Sequence, residues 1–261
     1  MKPEPTDDPR QPADALEGSL KALVHHPSEN VQRRVASDPG LTEDLALAML
    51  ERRDLSRFAL EDMSRNGAVM KSRLVLNALV CHPRTPRHVS LPIARHLYTF
   101  ELMKIALSPA VPADIKMAAE EAIVARLETV TLGERLTLAR QSSSRVAAAL
   151  LMDPEGRIVD AALENPRMTE AWIVRTLQKE EAPQVFVEIV CRHQKWSLRQ
   201  EIRVALLRNG KTPLARTLSF AQALPTAVLR DVLRHARIQA HVKVYLMKEL
   251  ETREAGGRDK A

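Results

Sequence analysis

The stretch Val35–Leu50, VASDPGLTEDLALAML, returns further along the chain as Ala162–Leu177, ALENPRMTEAWIVRTL, with every position number raised by 127. A polar residue and a proline fall in phase, Asp38-Pro39 on Asn165-Pro166. So do Thr42-Glu43 and Thr169-Glu170, and the closing Leu50 and Leu177. The same shift runs on in both directions without a gap and lays residues 22–123 over residues 149–250. Pro27 then meets Pro154, and Thr85-Pro86 meets Thr212-Pro213. Apolar positions exchange within their class, as in Val31/Ile158, Val75/Ile202, Val111/Ile238 and Ile115/Val242. Identities are sparse, so the shared register carries the argument. A long internal period marks a repeat architecture, in which each unit buries its apolar face on its neighbours.

Between the prolines the period is helical. In LTEDLALAML, Leu41, Leu45, Ala48 and Met49 share one helix face, and Met168, Trp172 and Leu177 occupy the corresponding side of the copy. Thr42 and Thr169 are placed to cap the following helix with their hydroxyls. Glu43, Asp44 and Glu170 put negative charge at the positive end of its dipole. The Thr-Pro pairs read as an N-cap followed by proline in the first turn. Pro27, Pro39, Pro83, Pro109, Pro154 and Pro166 follow His26, Asp38, His82, Ser108, Asp153 and Asn165, and each pair predicts a helix end and a turn. The spans predicted include 29–36, 42–53, 55–64, 69–81, 86–97, 112–128, 183–192, 196–208, 213–223 and 239–252. No stretch reads as a strand.

Composition agrees. Hydrophobic residues make up 45% of the 261 and aromatics only 3%, so the core must be aliphatic, which favours helices over strands. Cys81 and Cys191 are out of register with each other and lack ligand spacing, which fits reduced thiols, with a disulfide between them the alternative that sequence leaves open. The opening MKPEPTDDPRQPAD has no apolar core of a secretory signal and reads as a disordered lead. No apolar run approaches the roughly 20 residues of a membrane span. The expected organisation is a disordered lead (1–15), a first half (16–128), a second half (129–252) and a disordered tail (253–261). The expected location is the cytoplasm.

ALENPRMTEAWIVRTL and VASDPGLTEDLALAML resemble the leucine-rich repeat variant, in which a polar-proline turn separates a brief helix from a longer one carrying leucine. ALLRNGKTPLARTL and ALVCHPRTPRHVSL are similar, with Gly210 in place of the turn proline in the first of them. In style the whole chain is similar to HEAT and armadillo-type solenoids. The resemblance implies an all-α fold, a right-handed α-solenoid (an armadillo-type, HEAT-like superhelix) built by tandem duplication of the repeated unit. At the 40–47 residues of a HEAT-class helix pair, each unit would hold about three pairs. Some variant-repeat proteins carry a cysteine-rich iron–sulfur segment at the N-terminus, but residues 1–25 contain no cysteine and imply no such cofactor.

The eight histidines are scattered, with no HExxH and no Cys/His cluster at zinc spacing. No phosphate-cradling glycine loop or GxSxG elbow occurs. Glu61/Arg65 and their copies Glu188/Arg192 are spaced for surface ion pairs along a helix. No shared residue demands catalysis, and no cofactor or metal is expected.

Charge is the one feature pointing beyond a scaffold. The chain carries +6 in all, yet residues 192–237 hold ten Lys or Arg against two acids, a net +8. These are Arg192, Lys195, Arg199, Arg203, Arg208, Lys211, Arg216, Arg230, Arg234 and Arg237. The first four step by three or four positions and could line one side of a helical segment, a stripe able to neutralise phosphates. Trp196 within it serves either as a base-stacking platform or as a core anchor, and the scarcity of aromatics favours the core.

The reading that follows is a non-catalytic binding module presenting a concave surface to a protein or peptide. The alternative is nucleic-acid binding through the basic C-terminal half. The residues give least support to an enzyme resembling the HEAT-like alkylpurine DNA glycosylases. Those use aromatic and carboxylate residues in a basic groove, and neither Trp172 nor Trp196 matches their pattern.

Overall fold

The computed structural model describes residues 20–235 and 240–258. The expected lead over 1–15, Arg237 and residues 259–261 of the tail lie outside the described residues. Among those described, every regular element is helical. The chain divides into two units, Met1–Ala125 and Arg126–Ala261.

In the first unit, α1 spans Glu29–Ser37, α2 Glu43–Leu50, α3 Arg57–Arg65, α4 Arg73–Cys81, α5 Arg87–His96, α6 Thr99–Leu107 and α7 Ala113–Val124. The second unit holds α8 Leu132–Gln141, α9 Ser144–Leu150, α10 Gly156–Leu163, α11 Glu170–Leu177 and α12 Gln184–Arg192. A 3-10 turn at Trp196–Leu198 leads to α13 Gln200–Arg208, α14 Leu214–Ala223, α15 Thr226–His235 and α16 Ala240–Arg258.

Helices pack on the one two places along. In the first unit α1 lies on α3, α2 on α4 and α5 on α7. In the second, α8 lies on α10, α10 on α12, α9 on α11, α11 on α13 and α14 on α16. The core between them is aliphatic, as composition requires, with Met49, Leu55, Leu60, Met63 and Leu79 wholly buried in one unit and Leu138, Val146 and Ile158 in the other. The helix-pair length differs from expectation. Alternate helices of the first unit start at Glu29, Arg57, Arg87 and Ala113, so the numbering advances by 28, then 30, then 26. That is well short of the 40–47 of a HEAT pair. Helices of eight to ten residues joined by turns of a few residues leave no room for more.

The turns share one device. At eight helix ends a His, Asn or Asp side chain accepts the N–H of the residue two places on. In the first unit these are His26 to Ser28 (3.1 Å), Asp38 to Gly40 (2.8 Å), Asn66 to Ala68 (3.0 Å) and His82 to Arg84 (3.2 Å). In the second they are Asp153 to Glu155 (2.9 Å), Asn165 to Arg167 (2.8 Å), His193 to Lys195 (3.1 Å) and Asn209 to Lys211 (2.9 Å). Each member of the second set is the counterpart of one in the first under the shift that aligns the two copies: His26 with Asp153, Asp38 with Asn165, Asn66 with His193, His82 with Asn209. The imidazole Nδ1 and the amide or carboxylate Oδ1 sit at the same reach from the backbone, so the three residue types serve alike.

The far end of several of these side chains ties the turn to the preceding helix end of its row, filling the acceptors a helix C-terminus leaves open. Asn66 Nδ2 donates to the carbonyls of Ala36 (3.0 Å) and Asp38 (2.8 Å), Asn165 Nδ2 to those of Ala139 (2.8 Å) and Ser142 (3.2 Å), and Asn209 Nδ2 to that of Leu177 (2.7 Å). His82 Nε2 bonds the Arg52 carbonyl at 2.8 Å. Arg84 and its counterpart Lys211 reach the same kind of site, the carbonyl of Asp54 (2.8 Å) and that of Ala182 (2.6 Å).

Several local expectations are corrected. Thr42 and Thr169 stand at N-cap positions, but their hydroxyls cap nothing. In the Thr-Pro pairs the N-caps are Pro86 and Pro213. The threonines donate backwards instead, Thr85 to the Leu79 carbonyl (2.6 Å) and Thr212 to that of Leu206 (2.7 Å). The Glu61–Arg65 and Glu188–Arg192 pairs do not form. Glu61 faces His88 (3.5 Å), Arg65 faces Asp62 (3.8 Å), and Glu188 accepts from Gln184 (2.8 Å). The last helix runs to Arg258 rather than 252, because Arg253 donates to the carbonyls of Leu224 (2.7 Å) and Ala221 (2.9 Å) at the end of α14.

Candidate functional site

The basic stripe expected along one helical segment is broken in two places. Arg192 closes α12, Lys195 lies in the turn after it, Arg199 is the extended N-cap of α13, and only Arg203 lies within that helix. The single helix expected over 196–208 is therefore a 3-10 turn followed by α13. The break has a cause in the chain itself: Arg203 Nε donates to the Ser197 carbonyl at 2.8 Å, satisfying the turn in place of a helical N–H.

Most of the other cations are already engaged. Lys211 is bound to backbone carbonyls, Arg230 pairs with Glu254 (2.7 Å), and Arg208 approaches Asp231 (3.9 Å). Arg192 donates to the Glu188 carbonyl of its own helix (3.3 Å), and the Lys195 ammonium sits over the Trp196 ring, 4.1 Å from its centroid. Arg199, Arg216 and Arg234 are exposed and form no ion pair among the described residues. Trp196 is 3% exposed and its indole N–H donates to the Leu163 carbonyl at 2.9 Å. The ring is a core anchor, unable to offer a face to a base. Leu163 is the counterpart of Ala36, whose carbonyl accepts from Asn66, so the indole does in the second unit what an amide does in the first.

A second cluster, which charge counting along the chain does not pick out, lies on the first unit. Phe58, one residue into α3, is 37% exposed. The guanidinium groups of Arg57 and Arg33 lie 4.7 and 5.6 Å from its ring centroid, within cation–π range. Arg57, Phe58, Ser56, Arg84 and Glu29 line a cavity of about 360 Å³. A second cavity of about 250 Å³ in the same unit is lined by Glu61, Arg65, Met70, His88, Pro92 and Ile93. Phe58 corresponds to Val185, also 37% exposed, but Arg57 corresponds to Gln184 and Arg33 to Asp160. The two charges flanking the ring therefore belong to the first unit alone, whereas Arg84 keeps a basic counterpart in Lys211.

The titrating groups serve the turns. Cys81 and Cys191 are free thiols. Burial raises the Cys81 pKa and pushes that of Cys191 up to about 11, so neither is a thiolate at neutral pH. Burial also holds the imidazoles of His82 and His193 below their ordinary value, with the Arg84 and Lys195 charges acting the same way. The Arg52 carbonyl, and Glu164 and Asp160 beside His193, act in the opposite sense. The unfolded chain then binds more protons than the folded one below the ordinary histidine value of about 6.5. Stability contributed by these neutral rings is complete above that value and lost as pH falls through the lower folded values. The unfolding midpoint is expected to drop between about pH 7 and 5. His82→Asn, which installs the residue found at Asn209, should keep the turn and shallow that drop. Urea titrations of both proteins across this range check it, and an unchanged slope would remove His82 from the account.

Among the described residues no three His, Cys, Asp or Glu side chains are grouped to hold a metal, and no helix is long and apolar enough to cross a membrane. Comparison with protein-family models, with curated proteins and with solved structures finds no match to this chain.

Proposed function

We propose that the protein is a non-catalytic helical-repeat scaffold, an α-solenoid in the style of armadillo and HEAT proteins with shortened repeats, which binds a protein or peptide partner. The observation that carries this reading is the turn device. Four helix ends per unit are held by the same bonds at equivalent positions of the two copies, although few residues are identical. Tandem duplication accounts for that phase. The polar residues it retains maintain turns and stacking, and the variable ones, such as Phe58 against Val185, lie on the surface. A fold that preserves its framework and varies its exposed positions provides binding surface.

Nucleic-acid binding remains the second reading, favoured by the exposed cations Arg192, Lys195, Arg199 and Arg234. Arg203 is a poor probe of it, since its guanidinium holds the Ser197 carbonyl and its loss destabilises the turn. The discriminating experiment selects binders from a displayed random-peptide library on the full chain. In parallel it measures anisotropy of labelled duplex DNA, single-stranded DNA and RNA at about 50 and 200 mM salt. Enriched peptides, with nucleic-acid binding unchanged in Arg192→Glu/Lys195→Glu/Arg199→Glu, are expected. Micromolar, steeply salt-dependent nucleic-acid binding abolished in that triple variant would replace the scaffold reading.

A further inference from the structure

Three long-range ion pairs in the first unit share one pattern. Arg33, in α1, pairs with Asp62 of α3 at 2.7 Å. Arg73, the first residue of α4, pairs with Glu101 of α6. Arg87, the first residue of α5, pairs with Asp114 of α7. Each cation meets a carboxylate from the next helix of its row. Arg57, the first residue of α3, meets no carboxylate. Its position relative to the next row is taken by Arg84, just ahead of α5, and both arginines line the same cavity.

Both arginines line one cavity, and Arg57 sits in a helical first turn that holds no acid, where the helix dipole disfavours a cation. Arg84 spends one nitrogen, Nη1, on the Asp54 and Leu55 carbonyls, while Arg57 forms no ion pair among the described residues. Glu29 stands at the same cavity but pairs with neither. The second unit shows the neutral version of the site. Gln184 replaces Arg57 and spends its amide on Glu188 and the Lys211 carbonyl, leaving one cation and no aromatic ring. Of the three arginines that open helices in the first unit, Arg57 alone has no carboxylate partner among the described residues, a local departure of the kind found at functional sites.

We propose that Arg57, Arg84 and Phe58 form a docking groove for an acidic peptide segment of a partner protein. This rests on the scaffold reading and gives its site and partner chemistry. One carboxylate takes the place that Glu101 and Asp114 fill beside the other two arginines, bridging the Arg57 and Arg84 guanidinium edges. Arginine stacked flat on an aromatic ring keeps its in-plane donors free for such a carboxylate. An adjacent aliphatic side chain of the peptide covers the exposed part of Phe58. Peptide is favoured over nucleic acid by two features. The cavity of about 360 Å³ accommodates a few side chains, and two guanidinium groups already occupy the Phe58 ring that a base would stack on.

The test uses the full chain and a fluorescein-labelled peptide of four Glu-Leu-Asp repeats, followed by anisotropy. Saturable binding is expected, weakened at least fivefold by Arg57→Gln, at least tenfold by Arg57→Glu and at least threefold by Phe58→Ala. Arg199→Glu makes the same charge change in the other unit and should stay within twofold. Arg57 and Phe58 are exposed, and both Arg57 variants relieve the dipole clash, so the thermal midpoints should not fall. Absence of saturable binding, or equal losses in Arg57→Glu and Arg199→Glu, overturns the proposal. So does displacement of the peptide by duplex DNA or inorganic phosphate whose own binding depends more strongly on Arg57. Library-selected peptides that bind Arg57→Glu as well as wild type would leave the scaffold reading standing and remove this groove from it.

Discussion

Trp196→Ala is expected to lower the free energy of unfolding by about 3–5 kcal/mol, the range for removing a large buried aromatic side chain. Two losses combine. The cavity left by the indole is flanked by the short 3-10 turn that carries it, a segment without a helical ladder of its own. The Leu163 carbonyl at the end of α10 also loses its side-chain donor, a bond of 2.9 Å. Trp196→Phe separates the terms. It keeps most of the apolar volume and forfeits the N–H, so about 1–3 kcal/mol should be lost through the unsatisfied carbonyl alone. Urea unfolding followed by far-ultraviolet circular dichroism reads both variants without relying on the fluorescence that the substitutions remove. If Trp196 were a base-stacking residue, Trp196→Phe would change nucleic-acid affinity and leave the midpoint in place. Equal midpoints for wild type and Trp196→Ala would therefore refute the anchor assignment.

What the sequence conveys well is whatever lies within one helical turn. Proline positions and apolar period place α2 at Glu43–Leu50 inside the predicted 42–53, and α5 at Arg87–His96 inside 86–97. The polar residues before the prolines are visible too, but their role is not. Pre-proline sterics account for Asp38 and Asn165. The same hydrogen bond recurs at Asn66, His193 and Asn209, where no proline follows, so the side chain and not the ring is the common element. Other contacts escape the charge and capping rules for a related reason. Those rules look three or four positions along a helix, whereas Arg73, Arg84, Asn66 and Trp196 find their partners on a neighbouring helix or its end, Arg73 at Glu101 and Trp196 at Leu163. The Arg57–Arg84 groove is hidden on the same account. The two arginines stand 27 positions apart in the chain, and the cavity they share is visible only once the spacing of the rows is known.

Asn165 offers the most severe test of the turn device. It is 2% exposed and makes three bonds at once, donating to the Ala139 and Ser142 carbonyls and accepting from the Arg167 N–H. Asn165→Leu keeps the volume and strands all three backbone groups. At about 1–3 kcal/mol for each buried group left unsatisfied, with water reaching some of them, a loss of about 3–5 kcal/mol is expected. Asn165→Asp is the sharper variant because it preserves the acceptor and removes only the donors. The introduced carboxylate would face two carbonyl oxygens in a buried site, which disfavours its charged form and raises its pKa above the ordinary aspartate value of about 3.9. A raised carboxyl pKa means that the folded protein binds the extra proton more tightly than the unfolded one, so its stability deficit relative to wild type shrinks as pH falls. Once protonated, the carboxyl regains one donor for Ala139 or Ser142. The expected signature is a large deficit at pH 7 that narrows towards pH 4, against the background loss from His82 and His193 common to both proteins. Parallel denaturation of wild type and Asn165→Asp across that range measures it. A deficit independent of pH would mean that the turn tolerates a charged side chain there, and that the amide bonds to the preceding helix ends contribute little.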